Sequence, residues 1–221
     1  MADVIIAACD GAASPNPGPA AWAWVVAGPD GAVARWEAGP LGKATNNIAE
    51  LTALLRLLES TDPAVPLEVR MDSTYAMQAV TDWLPGWRRR GWKTSAGKPV
   101  ANQELVRSID DRLTGRDVRL VHVRAHQVDG DPYNAAADAA AAESARTQNP
   151  AGTVHGSPLP TAEDAPARVS SAAPKRRSAK AGGGTLKARY PGRCHCGRSY
   201  AAGTTIAKNG TGWGHVECAK A

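Results

Sequence analysis

Val4-Ile5-Ile6-Ala7-Ala8-Cys9-Asp10-Gly11 is an apolar run that stops on an acid. Such a run, bounded by a glycine, reads as a buried strand over residues 3–10. The same arrangement returns at Leu67-Glu68-Val69-Arg70-Met71-Asp72, a second apolar run with an acid after it. Two further acids sit on helix-like segments: Glu50 in a first turn, and Asp138 in an alanine-rich stretch. Acids at strand ends or on inner helix faces are costly unless neutralised, and the usual neutraliser is a divalent cation. The pattern points to a metal-dependent enzyme acting on a phosphate.

Outward from the first run, residues 20–28 and 32–38 read as two more strands joined by the hairpin signal Gly28-Pro29-Asp30-Gly31. Thr45-Asn46-Asn47 supplies capping residues, and Ile48 to Glu59 has apolar residues at helical spacing, ended by Pro63 and Pro66. After the strand at 67–72, a helix is expected from Ser73 to about Leu84, broken by Pro85-Gly86. Trp87 to Val100 is basic and aromatic without clear periodicity. Residues 102–113 read as an amphipathic helix, 117–123 as a strand and 133–146 as a helix. Hairpin-linked strands pair antiparallel, and strands separated by helices imply parallel crossovers. The expectation is an α/β fold: a mixed five-stranded sheet with flanking helices.

Beyond this domain, expected over residues 1–147, residues 148–190 are rich in Ala, Pro, Ser and Gly and read as a disordered basic linker. Residues 191–221 regain Cys, His and Trp and read as a small separate module. Residues 151–221 hold eleven Lys/Arg against three Asp/Glu, whereas residues 1–150 hold fifteen against eighteen. A basic tail is a common footprint of nucleic-acid binding, and also of a merely solvated segment. No stretch approaches the ~20 apolar residues of a membrane span. No basic region precedes the first apolar run, so a cytoplasmic protein with reduced cysteines is expected, without membrane association.

The neighbours of the acids are more specific than the acids themselves. Cys9-Asp10-Gly11 with Pro15-Asn16-Pro17-Gly18-Pro19, then Thr45-Asn46-Asn47-Ile48-Ala49-Glu50, then Met71-Asp72-Ser73-Thr74-Tyr75, then His126, Asn134 and Asp138, resemble in order the motifs of type 1 ribonuclease H. The resemblance runs from about residue 3 to 146. Taken singly, Asp72 before Ser73 also reads as a helix cap and Asp10-Gly11 as a turn.

The resemblance implies an endonuclease that hydrolyses the RNA strand of RNA–DNA hybrids, leaving 3′-hydroxyl and 5′-phosphate ends. Two divalent ions, Mg²⁺ or Mn²⁺, about 3.5–4 Å apart would serve that chemistry. Asp10 would bridge both, Glu50 and Asp72 would complete one site, and Asp138 would help hold the other. Asn134, one helical turn before Asp138, would face the same place. His126 precedes a polar, turn-rich loop and would assist water deprotonation or product release, as an imidazole of pKa ~6.5 can. Ala125 stands where the family often has glycine, and Thr74 where a longer glutamine is common.

Asn16, Asn46 and Asn47 would read the 2′-hydroxyl, and Thr45 would seat a phosphate. Trp83, Trp87 and Trp92 surround Arg88-Arg89-Arg90 and Lys93. This resembles a basic protrusion that grips the DNA strand, with at least one tryptophan packing inward and the arginines facing solvent. A monomer is expected. Cys194-His195-Cys196 and His215-Val216-Glu217-Cys218 form a C-x-C…H-x-x-C pattern, in which Cys194, Cys196, His215 and Cys218 would hold a structural Zn²⁺. The rival readings are another nuclease or strand-transfer enzyme on the same sheet, a non-catalytic nucleic-acid-binding protein, and a zinc-mediated interaction protein.

Overall fold

The computed structural model describes residues 4–124, 130–161, 185–209 and 212–219. The chain divides into two compact units, residues 1–167 and 168–221. The first begins with the antiparallel meander β1 (Ile5–Ala13), β2 (Gly18–Ala27) and β3 (Val33–Ala44). Then come α1 (Asn46–Ser60), β4 (Leu67–Met71), α2 (Thr74–Gln78), α3 (Leu84–Arg89), α4 (Gln103–Leu113), β5 (Val118–His122), α5 (Pro132–Thr147) and the short β6 (Ala151–Gly152). Among the described residues, no helix is long and apolar enough to cross a membrane.

The sheet order is β5-β4-β1-β2-β3-β6, with β4 parallel to both β1 and β5. It is the expected mixed sheet with one strand added: β6 pairs with the edge of β3 through Glu37↔Gly152 and Ala38↔Ala151. The sheet therefore takes in residues beyond the boundary expected at 147. Residues 162–184 of the expected linker lie outside the described residues.

Both faces of β1 are covered. Ala7 and Cys9 join the core built on Leu51, Leu54, Leu57 and Leu58 of α1. Ala8 joins the opposite core, built with Val25, Trp36 and the small residues Ala137, Ala140 and Ala141 of α5. α5 has the local signals a helix needs: Asp131 Oδ1 accepts from the backbone N–H of Tyr133 and Asn134, Pro132 opens it, and alanines fill it.

Two local expectations change. The helical path does not stop at Pro85-Gly86. It passes from α2 through a π-helical turn (Ala79–Trp83) into α3, where Pro85 falls in the first turn, the position at which proline is best tolerated. α1 starts at Asn46 with Thr45 as its cap, Thr45 Oγ1 accepting from Ile48 N–H at 3.3 Å, so Glu50 falls in the second turn.

Gly11 sets how closely α1 approaches β1. A Cβ there would collide with the backbone nitrogen of Glu50 and the carbonyl carbon of Ala49, atoms that cannot swing aside. Gly11→Ala is expected to lower stability by at least about 1–3 kcal/mol, the cost of overpacking, checked by urea unfolding in the absence of metal.

Candidate active site

The strand register brings the first two acids together. β4 pairs with β1 from Ile5↔Leu67 to Ala8↔Arg70 and ends at Met71. Continued past Ala8, that register sets Asp10 beside Asp72, just where the parallel neighbour stops. Ligands of open α/β sheets bind at such carboxyl ends of parallel strands. Asp10 itself lies within β1, which runs on to Ala13 because β2 still pairs with it there (Asp10↔Ala23, Ala13↔Ala20). Ser73, not Asp72, caps α2, its Oγ accepting from Ala76 N–H at 3.3 Å. The Asp72 carboxylate is thus left to the site.

Carboxylate oxygens of Asp10, Glu50 and Asp72 all lie within 4.8 Å of one another. Asp138 hydrogen-bonds to Asp10 from α5. Burial first, then the charges of Glu50, Asp138 and Asp72, hold the Asp10 carboxyl well above the usual carboxylate range. Burial and then Asp72 push Glu50 up to about 8, against a partial offset from the N–H of Gly11 and the hydrogen bond to Asp10. Burial, then Glu50, Asp10 and Asp72, also push the Cys9 thiol up. Glu50 Oε2 and Asn134 Oδ1 are buried without a hydrogen-bond donor among the described residues. Hard carboxylate oxygens that repel one another, one of them buried without a donor, fit a hard divalent cation. His126 and Ala125 lie outside the described residues.

The asparagines expected to face substrate gather at the start of α1. The Asn46 N–H donates to Asn16 Oδ1 at 3.2 Å, and Asn16, Asn46 and Asn47 are exposed beside the half-buried Thr45. Thr74 opens α2 and is exposed.

In the basic segment, Trp87 is the tryptophan that packs inward, at 8% exposure, while Trp83 is 36% exposed and Trp92 carries the Arg107 guanidinium 4.7 Å from its ring centroid. Trp83 also packs on Trp87 and edge-on to Tyr75. The arginine run does not act as one. Arg88 is committed to Asp110 of α4 by a two-pronged ion pair, its Nε 2.6 Å from Oδ2 and its Nη2 on Oδ1. It ties α3 to α4 instead of standing free for a phosphate. Arg89, Arg90 and Lys93 are exposed, and Arg89 and Arg90 line a groove with Trp83 and Thr94.

One supporting pair escaped the sequence. Arg70 Nη1 donates to Asp131 Oδ2 at 2.7 Å, while Asp131 Oδ1 caps α5. The pair thus ties the strand that leads to Asp72 to the start of the helix that carries Asn134 and Asp138. Asp131-Pro132 is a legible helix start. Nothing in the sequence marks Arg70, because its partner is 61 positions away.

The second unit has β7 (Thr185–Lys187), the hairpin β8 (Gly192–Arg193) and β9 (Ser199–Tyr200), and the pair β10 (Thr205–Asn209) and β11 (Gly212–His215). Cys194 and Cys196 stand in the β8–β9 turn, closed by Gly197 N–H to Cys194 O at 2.9 Å with Gly197 at φ +84. His215 ends β11 and Cys218 lies in the following 3₁₀ turn. One ligand atom from each of these four residues falls within 4.8 Å of the others, and His195 is not in the group. Hydrogen bonds from the Arg198 backbone and side chain and from His215 draw the Cys196 thiol down to about 6. Burial and the neighbouring thiols push Cys218 up to about 11.

Residues 2–146 match the RNase H family profile. The chain is 61% identical to a protein named ribonuclease HI from Streptomyces coelicolor, over 99% of this chain and 97% of that one. It is 42% identical to a ribonuclease H from Tropheryma whipplei, over 64% of this chain and 84% of that one. The crystal structure of LC9-RNase H1, described as a type 1 RNase H with the type 2 active-site motif, shares the fold at TM-score 0.57 and 22% identity, over 68% of this chain and 76% of that one.

The raised carboxyls fix a sign for pH dependence. Glu50 keeps its proton to about pH 8 in the folded, metal-free protein but only to about pH 4.3 when unfolded. Between these values the folded state binds more protons, so stability falls as pH rises. Glu50→Gln is expected to flatten that fall and, in EDTA at about pH 8, to exceed wild type in stability by on the order of 2–4 kcal/mol in urea unfolding. Added Mg²⁺ should reverse the ranking, since it stabilises the carboxylate set of the wild type.

Proposed function

The chain belongs to the RNase H family, and from that premise we propose how its residues share the work. It is a ribonuclease H: an endonuclease that hydrolyses the RNA strand of RNA–DNA hybrids. The observation that carries this is the convergence of Asp10, Glu50 and Asp72 within 4.8 Å, with Asp138 hydrogen-bonded to Asp10, in a chain of this family.

In our reading Asp10, Glu50, Asp72 and Asp138 hold two divalent ions, Mg²⁺ or Mn²⁺. When bound, these ions supply an activated water, charge compensation at the phosphate and a stabilised leaving oxygen, giving 3′-hydroxyl and 5′-phosphate ends. The chain's part is to bring the acids together before substrate arrives. Burial and then mutual repulsion raise the Asp10 and Glu50 carboxyls, and binding a cation would relieve both. Asn134 offers its unpaired Oδ1 on the same helix as Asp138. His126 would carry a proton to or from the reacting water.

Substrate would be held at two places. Asn16, Asn46 and Asn47 present amides that can donate to and accept from a 2′-hydroxyl, the group that tells RNA from DNA, and Thr45 would seat a phosphate. Arg89, Arg90 and Lys93 would neutralise phosphates of the DNA strand beside the exposed face of Trp83. Arg88, Trp87 and Trp92 support that surface from within, Arg88 through Asp110.

The second unit would hold one Zn²⁺ through Cys194, Cys196, His215 and Cys218. Three thiols and an imidazole at one place are a soft tetrahedral donor set, and a unit with so small a core gains stability from a metal.

A labelled RNA–DNA hybrid incubated with and without Mg²⁺ tests the catalytic reading. Cleavage of the RNA strand alone, only with metal, is expected. Asp10→Asn should reduce turnover to background while leaving hybrid affinity within a few-fold of wild type; retained turnover in that variant would refute the site. Elemental analysis of purified protein should find about one zinc per chain, lost on Cys196→Ser, and a wild type free of zinc would exclude the second centre.

A further inference from the structure

The second unit carries a surface that extends beyond its Cys/His cluster. In its sheet Lys208 stands directly across from Trp213, Ile206 across from His215, and Leu186 across from Ile206 on the other side. Directly paired residues of antiparallel strands share a face, as do alternate residues along one strand. Leu186, Ile206, Lys208, Trp213 and His215 therefore lie on one face. Ile206 is buried at 4% exposure, but Leu186 and Trp213 are 42% and 40% exposed and Lys208 is exposed. One end of the face runs into the Cys/His cluster through His215. The other presents an indole and an ammonium side by side to solvent.

The rest of the unit has the same character. Tyr190, shortly after β7, is 72% exposed. Among the described residues of the unit, Lys187, Arg189, Arg193, Arg198 and Lys208 are all exposed, and Glu217 is the sole acid, 3.5 Å from Arg198. Aromatic rings open to water among cations that outnumber the acids fit a polyanion that also offers flat apolar faces. Base pairing and stacking hide those faces in a duplex, whereas an unpaired strand offers both its phosphates and its base faces. An acidic peptide would match the cations but leave the rings without a flat partner.

We propose that the second unit binds an unpaired nucleic-acid strand, with Trp213 stacking on a base and Lys208 pairing with the adjoining phosphate. Binding does not depend on the catalytic reading of the first unit; only its effect on cleavage rests on that reading. An unpaired stretch attached to a hybrid would then be held by one unit while the other works on the paired part, and the covalent link between the units would raise the local concentration of substrate.

The test uses the full chain and fluorescence anisotropy, with a labelled oligothymidylate and a duplex DNA of equal length. Wild type should prefer the single strand. Trp213→Ala should weaken that binding about tenfold, in line with one lost base–aromatic stack, while Trp213→Phe retains most of it. Lys208→Gln should reduce the salt dependence by about one phosphate contact. In a kinetic arm, a hybrid with a single-stranded extension should show a KM several-fold below that of a blunt hybrid in wild type, a gain absent in Trp213→Ala, with kcat on the blunt hybrid unchanged. Equal affinity for single strand and duplex, undiminished binding by Trp213→Ala, or equal loss in the Ala and Phe variants would overturn the proposal. A chain that binds the single strand through Trp213 yet cleaves neither hybrid would instead refute the catalytic reading and leave this one standing.

Discussion

Like charge held at close range governs this protein. Asp10, Glu50 and Asp72 present carboxylates within 4.8 Å, and Asp138 adds a fourth through its hydrogen bond to Asp10. Ionised together in a buried place, such groups are poorly solvated and repel, and the Asp10 and Glu50 carboxyls hold their protons to higher pH than in water. A divalent cation relieves both costs at once. The fold is therefore least at ease where it is chemically most useful, and the rest of the first unit supplies the rigidity that keeps the acids from drifting apart.

That rigidity has identifiable sources. β1 is covered on both faces, by α1 and α5. Gly11 admits α1 to backbone contact with the strand, and the Gly11 N–H hydrogen-bonds the Glu50 carboxylate. On the other face, alanines of α5 let Asp138 come within hydrogen-bonding reach of Asp10. Arg70 and Asp131 join the strand that leads to Asp72 to the helix bearing Asp138. Ion pairs this sheltered mainly fix geometry, since burial of the charges offsets much of their attraction. Arg88 and Asp110 do the same for the basic segment, holding α3 on α4.

The two units gather different donor sets. The first gathers hard oxygens around a sheet that has its own large core. The second gathers soft sulfur and imidazole donors where a two-stranded hairpin and a three-stranded sheet enclose little apolar volume. On the reading proposed above, the oxygen set on a stable scaffold would serve chemistry, and the sulfur set in a minimal one would serve folding.

The sequence by itself determined the order of the main elements and the mixed sheet, and it named the four acids and the C-x-C…H-x-x-C residues that the fold brings together, because strand runs, helix periodicity and motif spacing are local properties of the chain. It also located the polar start of α1. Tertiary structure decided what depends on contacts between distant residues. It made Ser73 the cap in place of Asp72, carried the helical path through Pro85, and added β6 to the sheet edge. It turned Trp87 inward and took Arg88 out of the free cations by giving it Asp110. It placed Trp213 and Lys208 side by side across two strands. None of these is written in a short window, because each follows from packing and register between segments whose separation along the chain has no bearing on their distance in space.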